Sequence, residues 1–284
     1  MFPAICKIGS IQVNTYGLVI GIGFLVALAI VRKDGAKLGV DDKIILVMCY
    51  GGLICGLAGA RLLNIILYSD GYSWRDPVGW IAIWKGGLVF QGAIPCILVF
   101  QYVMAKHYKI SFLRFMDALL PGAQIVQVFG RIGCFFYGCC YGCETNVPWA
   151  VRFPRVPFDL SQPATGSVKY MSDCAAHSDF SPAVELWSHA VHPTQLYAAA
   201  FVAVLCFLLM KVRSHFGPGW GYTLPAYLVL YGVWRFFIEF IRDDNLLVKE
   251  LLTHQQIYAL IGIVLGVAIF FYVRRRAIRL SAAG

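Results

Sequence analysis

Charge is what this sequence has least of. Asp, Glu, Lys and Arg make up only 14% of its 284 residues, while hydrophobic side chains make up 59% and mean hydropathy reaches +0.69. That balance excludes an ordinary soluble domain and places the chain among polytopic membrane proteins. Internal repeats and low-complexity tracts are also missing, which excludes solenoids and disordered arrays. The first apolar run lacks a basic leader and a small-residue cleavage site, and its basic cluster follows it, so an uncleaved first helix is expected rather than a signal peptide. A net charge of +9 would suit a nucleic-acid partner, but the basic residues stand in short clusters between apolar runs, where membrane topology accounts for them. No nucleic acid is expected.

What is present is a series of apolar stretches, each near the length that crosses a bilayer: 11–31, 44–68, 88–105, 115–137, 194–210, 222–241 and 257–273. They predict an all-α polytopic membrane protein with about seven transmembrane helices, forming a single integral domain over 1–284. Arg32, Lys33, Lys37, Lys106, Lys109, Lys211, Arg213 and the tail Arg274, Arg275, Arg276 and Arg279 fall on alternate loops, which the positive-inside rule assigns to the cytoplasm. The N-terminus is then expected outside and the C-terminus inside. The one long connection, 143–191, is rich in Pro, Ser, Asp and aromatic residues and is expected as a small extracytoplasmic cap.

Ten cysteines sort by place. Cys49, Cys55, Cys96 and Cys206 sit in apolar runs, as inert core residues do. Cys134, Cys139, Cys140 and Cys143 crowd one segment, yet their spacing is not that of paired CxxC knuckles, and the neighbours Gly138, Tyr141 and Gly142 suit close helix packing. No metal and no cofactor are expected. Cys143 and Cys174 both fall in the cap, and whether they form a disulfide stays open.

Two arginines interrupt apolar runs, Arg131 in VQVFGRIGCFFYGCCYG and Arg235 in YLVLYGVWRFFIEFIR. A guanidinium at mid-membrane costs roughly 2.5 to 3.5 kcal/mol on insertion scales, so a chain that keeps two is expected to use them on an anion. A guanidinium stays charged and grips phosphate oxygens through two parallel hydrogen bonds, which points to a phosphate-bearing lipid. Arg235, Glu239 and Arg242 follow at spacings of four and three, so they share one helical face. Glu239 is expected to orient Arg235, and Arg242 to meet lipid head groups. Arg61 and Asp117, also inside spans, suit structural pairing.

YGLVIGIGFLVA from Tyr16, GARL around Arg61, GGLVFQGA around Gln91, GRIGCFFYGCCYG around Arg131, HPTQLY from His192 and RFFIEFIRDD from Arg235 occur in that order. Together they resemble the bacterial prolipoprotein diacylglyceryl transferases over nearly the whole chain. The resemblance implies a multi-pass enzyme of the bacterial inner membrane, active in lipoprotein biosynthesis. It would move the diacylglyceryl group of phosphatidylglycerol onto the lipobox cysteine of a prolipoprotein signal peptide, with glycerol phosphate leaving. Arg131 and Arg235 would be catalytic. Tyr16, Gln91, Gly142, Glu239 and Arg242 would contact substrate, and His192 or Glu239 would be the possible general base. The chain departs from the family where many members carry a histidine, since Gln91 cannot take a proton at neutral pH. It departs again where Asn and Glu are common, at Cys134 and Cys139. A lipid transporter and a non-catalytic lipid-binding relative therefore stay open beside the transferase.

Overall fold

The computed structural model describes residues 4–8, 11–69, 72, 77–81, 87–153, 188–217, 219–242, 246–248 and 252–282. Among them are eight helices, here α1 (Thr15–Lys37), α2 (Asp42–Leu67), α3 (Pro77–Ile81), α4 (Phe90–His107), α5 (Phe112–Tyr137), α6 (Thr194–Phe216), α7 (Thr223–Ile238) and α8 (His254–Ala282). A 3-10 turn, Glu239–Ile241, extends α7. Two short antiparallel ladders complete the described elements: β1 (Ala4–Ile8) with β2 (Ile11–Asn14), and β3 (Leu246–Val248) with β4 (Leu252–Thr253). The expected helical membrane architecture is therefore present.

Among the described residues six helices are long and apolar enough to span a bilayer, namely α1, α2, α5, α6, α7 with its 3-10 turn, and α8. The expected seventh, α4, is helical for 18 residues, but Gln91, Gln101, Lys106 and His107 dilute its apolar content. The first span starts later than the apolar run suggested, because 11–14 pair as β2 instead of joining the helix. Large apolar side chains such as Leu25, Ile54 and Val264 are 63%, 66% and 67% exposed in the protein alone, and such a surface is covered at no cost only by lipid. Of the expected cap, residues 154–187 lie outside the described residues, and the Cys143 and Cys174 disulfide lies outside them as well.

The chain divides into two compact units. In the unit Gly39–Phe112, α2 and α4 pack through small residues: a Cβ built on Gly59 would lie 2.5 Å from both the Cys96 sulfur and the Gly92 carbonyl oxygen. Such contact lets two backbones approach where lipid offers no hydrophobic drive to association. Gln101 crosses the interface to donate to the Met48 carbonyl at 3.0 Å. Arg61, a buried cation of this unit, donates to the carbonyls of Gly79 (2.5 Å), Gly87 (3.0 Å) and Trp80 (3.1 Å), and its guanidinium stands 5.0 Å from the Tyr72 ring centre. Its structural role is to tie the segment between α2 and α4 back onto α2.

The other unit joins α1 and α5 to α8. At one end of its bundle, Asp34 on α1 pairs with Arg213 on α6 and, at 3.2 Å, with Lys37. Asp117 on α5, 1% exposed, accepts from the backbone N–H groups of Gly219 (3.1 Å), Gly221 (2.7 Å) and Thr223 (3.0 Å) and from the Thr223 hydroxyl (2.5 Å). A carboxylate from another helix thus caps the N-terminus of α7, answering donors that α7 itself leaves open and complementing its dipole. At the opposite end lie the last turn of α5, the first of α6 and the 3-10 turn after α7.

Asp117→Ala is expected to leave these donors unanswered and cost about 2 kcal/mol or more, by the scale of cap losses. Thermal unfolding in detergent should fall by several degrees, with Asp117→Asn, which keeps an acceptor oxygen, losing less. A midpoint unchanged in Asp117→Ala would show that the cap contributes nothing.

Candidate functional site

The far end of this unit is built by how α5 stops. Gly138 takes a left-handed φ of 78°, its N–H donates to Phe135 at 3.3 Å, and the Cys139 N–H reaches back to the Cys134 carbonyl at 3.2 Å. These two bonds form a Schellman ending, which needs glycine's conformational freedom and folds the chain back over the last turn. The fold-back returns Cys139 and Cys140 to Cys134, and the three sulfurs lie within 4.8 Å of one another. Cys140 itself is left-handed, with φ 61°.

The next residues are pinned from several sides. Gly142 donates to the His192 carbonyl at 2.9 Å, Cys143 to that of Ile241 at 3.0 Å, and His192 to that of Cys143 at 3.1 Å. A Cβ on Gly142 would stand 2.6 Å from the Ile241 carbonyl oxygen and 2.8 Å from Thr194 Cγ2, so only glycine fits. From the start of α6, Thr194 donates its hydroxyl to the Cys140 carbonyl and the fully buried Gln195 its amide to that of Cys139, both at 2.7 Å. Hydrogen bonds with Cys134 and Cys139, then the fields of Arg242 and Arg131, hold the Cys140 thiol well below its ordinary range. The bonds from Cys134 and Cys140 push Cys139 up instead.

Beside this loop is a small open cleft. Three cations line it, Arg131, Arg235 and Arg242, together with Gln127, Thr194 and Tyr231; Ala198, Val202, Trp234 and Ile238 form its apolar wall. Arg131 lies beside Tyr231, whose hydroxyl accepts from Gln127 at 3.1 Å. Arg235 pairs with Glu239 at 2.5 Å, and Arg242 stands 4.0 Å from the same carboxylate. The Glu239 side chain has 0% exposure and takes a further bond from the Thr253 hydroxyl at 2.9 Å. Thr253 is placed by a capping box opening α8: its hydroxyl accepts from the Gln256 N–H at 3.2 Å, and Gln256 returns its amide oxygen to the Thr253 N–H at 3.0 Å.

Sequence reasoning singled out Arg131, Arg235, Glu239 and Arg242, and the fold brings these four together. Tyr16 lies near them, against Gly133 and edge-on to Tyr137 at 6.5 Å, and within the field of Arg131. His192 turns its ring to the Tyr197 hydroxyl, 3.3 Å from Nδ1, and that hydroxyl also accepts from Trp149 at 2.6 Å. Among the described residues neither His192 nor Glu239 forms the cleft wall. Gln91 belongs to the other unit, where it is exposed in the first turn of α4. Missed from sequence were Gln127, Thr194, Gln195 and Tyr231. The signal for Tyr231 was its place four residues before Arg235, and for Gln127 its place four before Arg131, since both spacings repeat the face that carries the cation.

A cleft with three guanidinium groups, one buried counter-carboxylate and an apolar wall is suited to an anionic head group attached to acyl chains. Residues 3–272 match the model of the prolipoprotein diacylglyceryl transferase family. A phosphatidylglycerol--prolipoprotein diacylglyceryl transferase of Clostridium tetani is 30% identical over 95% of this chain and 97% of its own length. Proteins of the same description from Xanthomonas euvesicatoria and Geobacter sulfurreducens are each 28% identical, over 96% and 86% of this chain and 91% and 83% of their own lengths. From this coverage, with the arginine cleft standing in the matched segments, the chain belongs to the prolipoprotein diacylglyceryl transferase family.

Proposed function

We propose that this protein transfers the diacylglyceryl group of phosphatidylglycerol to the lipobox cysteine thiol of prolipoproteins, in the bacterial cytoplasmic membrane, with its N-terminus outside and its C-terminus in the cytoplasm. The observation that carries the proposal is the convergence of Arg131, Arg235 and Arg242 on one cleft. A sulfur must attack a glycerol carbon, the bond from that carbon to the phosphate oxygen breaks, and the electron pair leaves on glycerol phosphate. Arg131 and Arg235 bind the phosphate and stabilise charge growing on the departing oxygen. Family membership supports the reaction class, and the relatives' names supply the donor and acceptor.

In this mechanism Glu239 serves as counter-ion rather than base. Its carboxylate is buried and bonded to Arg235 and Thr253, so its role is to fix the guanidinium where the phosphate arrives. Tyr16 bonds the head group, Arg242 meets the anion at the cleft's edge, and Gly142 allows the close approach that seats the loop. Gln91 stays a substrate-contacting residue on the strength of its place in the family segment.

Arg131→Ala is expected to remove most transfer activity, by two or more orders of magnitude, while the protein still inserts and folds, because the lost charge acts on the transition state. Arg131→Lys should rescue poorly, since an ammonium offers a mobile point charge in place of a planar fork. Turnover of Arg131→Lys near that of the unaltered protein, measured as glycerol phosphate released with a lipobox peptide, would remove the bidentate role.

Glu239→Gln keeps a hydrogen-bonding oxygen for Thr253 but loses the charge facing Arg235. A fall in turnover of about tenfold to a hundredfold is expected from misplacing that guanidinium. The shape of the pH–rate profile should not change. If the variant instead lost the profile's acid limb, Glu239 would be the base.

A further inference from the structure

We propose that Cys134, Cys139 and Cys140 form a three-thiolate zinc site whose fourth position takes the acceptor thiol; this rests on the thiol-alkylating function proposed above. The spacing of these cysteines argued for packing, because they are not paired knuckles. The ending at Gly138 removes that objection, since it folds the two later residues back onto the first and brings three sulfurs within 4.8 Å. Tetrahedral zinc with bonds near 2.3 Å wants sulfurs about 3.8 Å apart, a contraction that side-chain rotation can supply.

Several further features suit a metal better than filler. Cys140 holds a left-handed backbone, a conformation unfavourable for a non-glycine residue, and in doing so it keeps its sulfur on the cluster. Thr194 and the buried Gln195 fix the carbonyls of Cys140 and Cys139, the kind of outer support that orients metal ligands. Three thiolates on Zn²⁺ leave one negative charge, and Arg131, which interacts electrostatically with Cys134 and Cys140, offsets it. Cys140 is exposed, giving an entry path. Three sulfur ligands with one position open is the pattern of a catalytic zinc, and all-sulfur donors select zinc over magnesium or calcium.

An open thiolate-zinc site fits this reaction's need. The acceptor must become a thiolate, and neither His192 nor Glu239 lines the cleft. On coordination the acceptor thiol forms a zinc–sulfur bond and releases its proton to solvent. That sulfur then forms the bond to the glycerol carbon, the carbon–oxygen bond breaks with its electron pair to phosphate, and glycerol phosphate leaves beside Arg131 and Arg235. The product thioether is a weak ligand and departs, restoring the open position.

The test uses the full chain purified in detergent under reducing conditions. Elemental analysis is expected to give about one zinc per chain. The triple variant Cys134→Ser, Cys139→Ser, Cys140→Ser should lose it, and Cys143→Ser, whose sulfur bonds the Ile241 carbonyl at 3.1 Å, should retain it. Cobalt(II) exchanged into the unaltered protein should show thiolate charge-transfer absorption that changes when a lipobox-cysteine peptide is added. Should the triple variant fail to fold, Cys140→Ser alone is expected to weaken those bands. Removing zinc should slow transfer up to about thirtyfold at pH 7, the gap between a fully ionised thiol and one about 3% ionised, with recovery on adding zinc. Folded protein without stoichiometric zinc, copper alone in its place, zinc retained by the triple variant, or cobalt without thiolate bands would each overturn the site. Transfer that proceeds at full rate without zinc would overturn its role. Zinc bound through these cysteines in a protein with no transferase activity would instead count against the proposed function.

Discussion

A full charge in an apolar bundle must be answered where it stands, and most of the fixed geometry of this protein follows from that requirement. Arg61 is answered by three carbonyl oxygens and an aromatic face, Arg213 by Asp34, Arg235 by Glu239, and Asp117 by the open donors ahead of α7. Most of these answers cross from one segment to another, so satisfying the charge also fixes the helices; Arg235 and Glu239 pair four residues apart along one helix, and Thr253 ties that pair to the start of α8. Losing one partner of a buried pair costs about 3 to 5 kcal/mol because the survivor is stranded, more than most single packing contacts contribute.

The cleft differs from these closed pairs in being richer in cations than in anions. Arg131, Arg235 and Arg242 face it, while Glu239 is the acid bonded among them and is itself held by Thr253. Positive charge is therefore left for a visitor. That excess of positive charge suits an anionic head group better than a neutral or cationic one, and Ala198, Val202, Trp234 and Ile238 set apolar surface beside it.

The helices were legible in the sequence because apolar runs of spanning length have few other fates in a chain so poor in charge. Arg235, Glu239 and Arg242 were legible as a group because helical spacing alone places them on one face. The strand at 11–14, Ile-Gln-Val-Asn, alternates apolar and polar residues, but four residues abutting a long apolar run merge with it on paper, and pairing with 4–8 is what sets them apart. Gln195 and Thr194 were hidden because what they bond is the backbone of a distant loop, which no local pattern encodes. The convergence of the three cysteines depends on one backbone angle at Gly138, and residue spacing read as a list gives no hint of a chain that doubles back.

Helix α7 is held at both ends, at Thr223 by Asp117 and just past Ile238 by the Glu239 network. Between Thr223 and Arg235 it runs about 18 Å at 1.5 Å per residue. It behaves as a strut with its foot clamped on one side of the membrane and its working end in the cleft. Slack at the foot is transmitted to the guanidinium at the top, so a genetic screen for lost lipoprotein modification would recover lesions near Asp117 that touch no substrate. They would be indistinguishable by phenotype from lesions in the cleft itself.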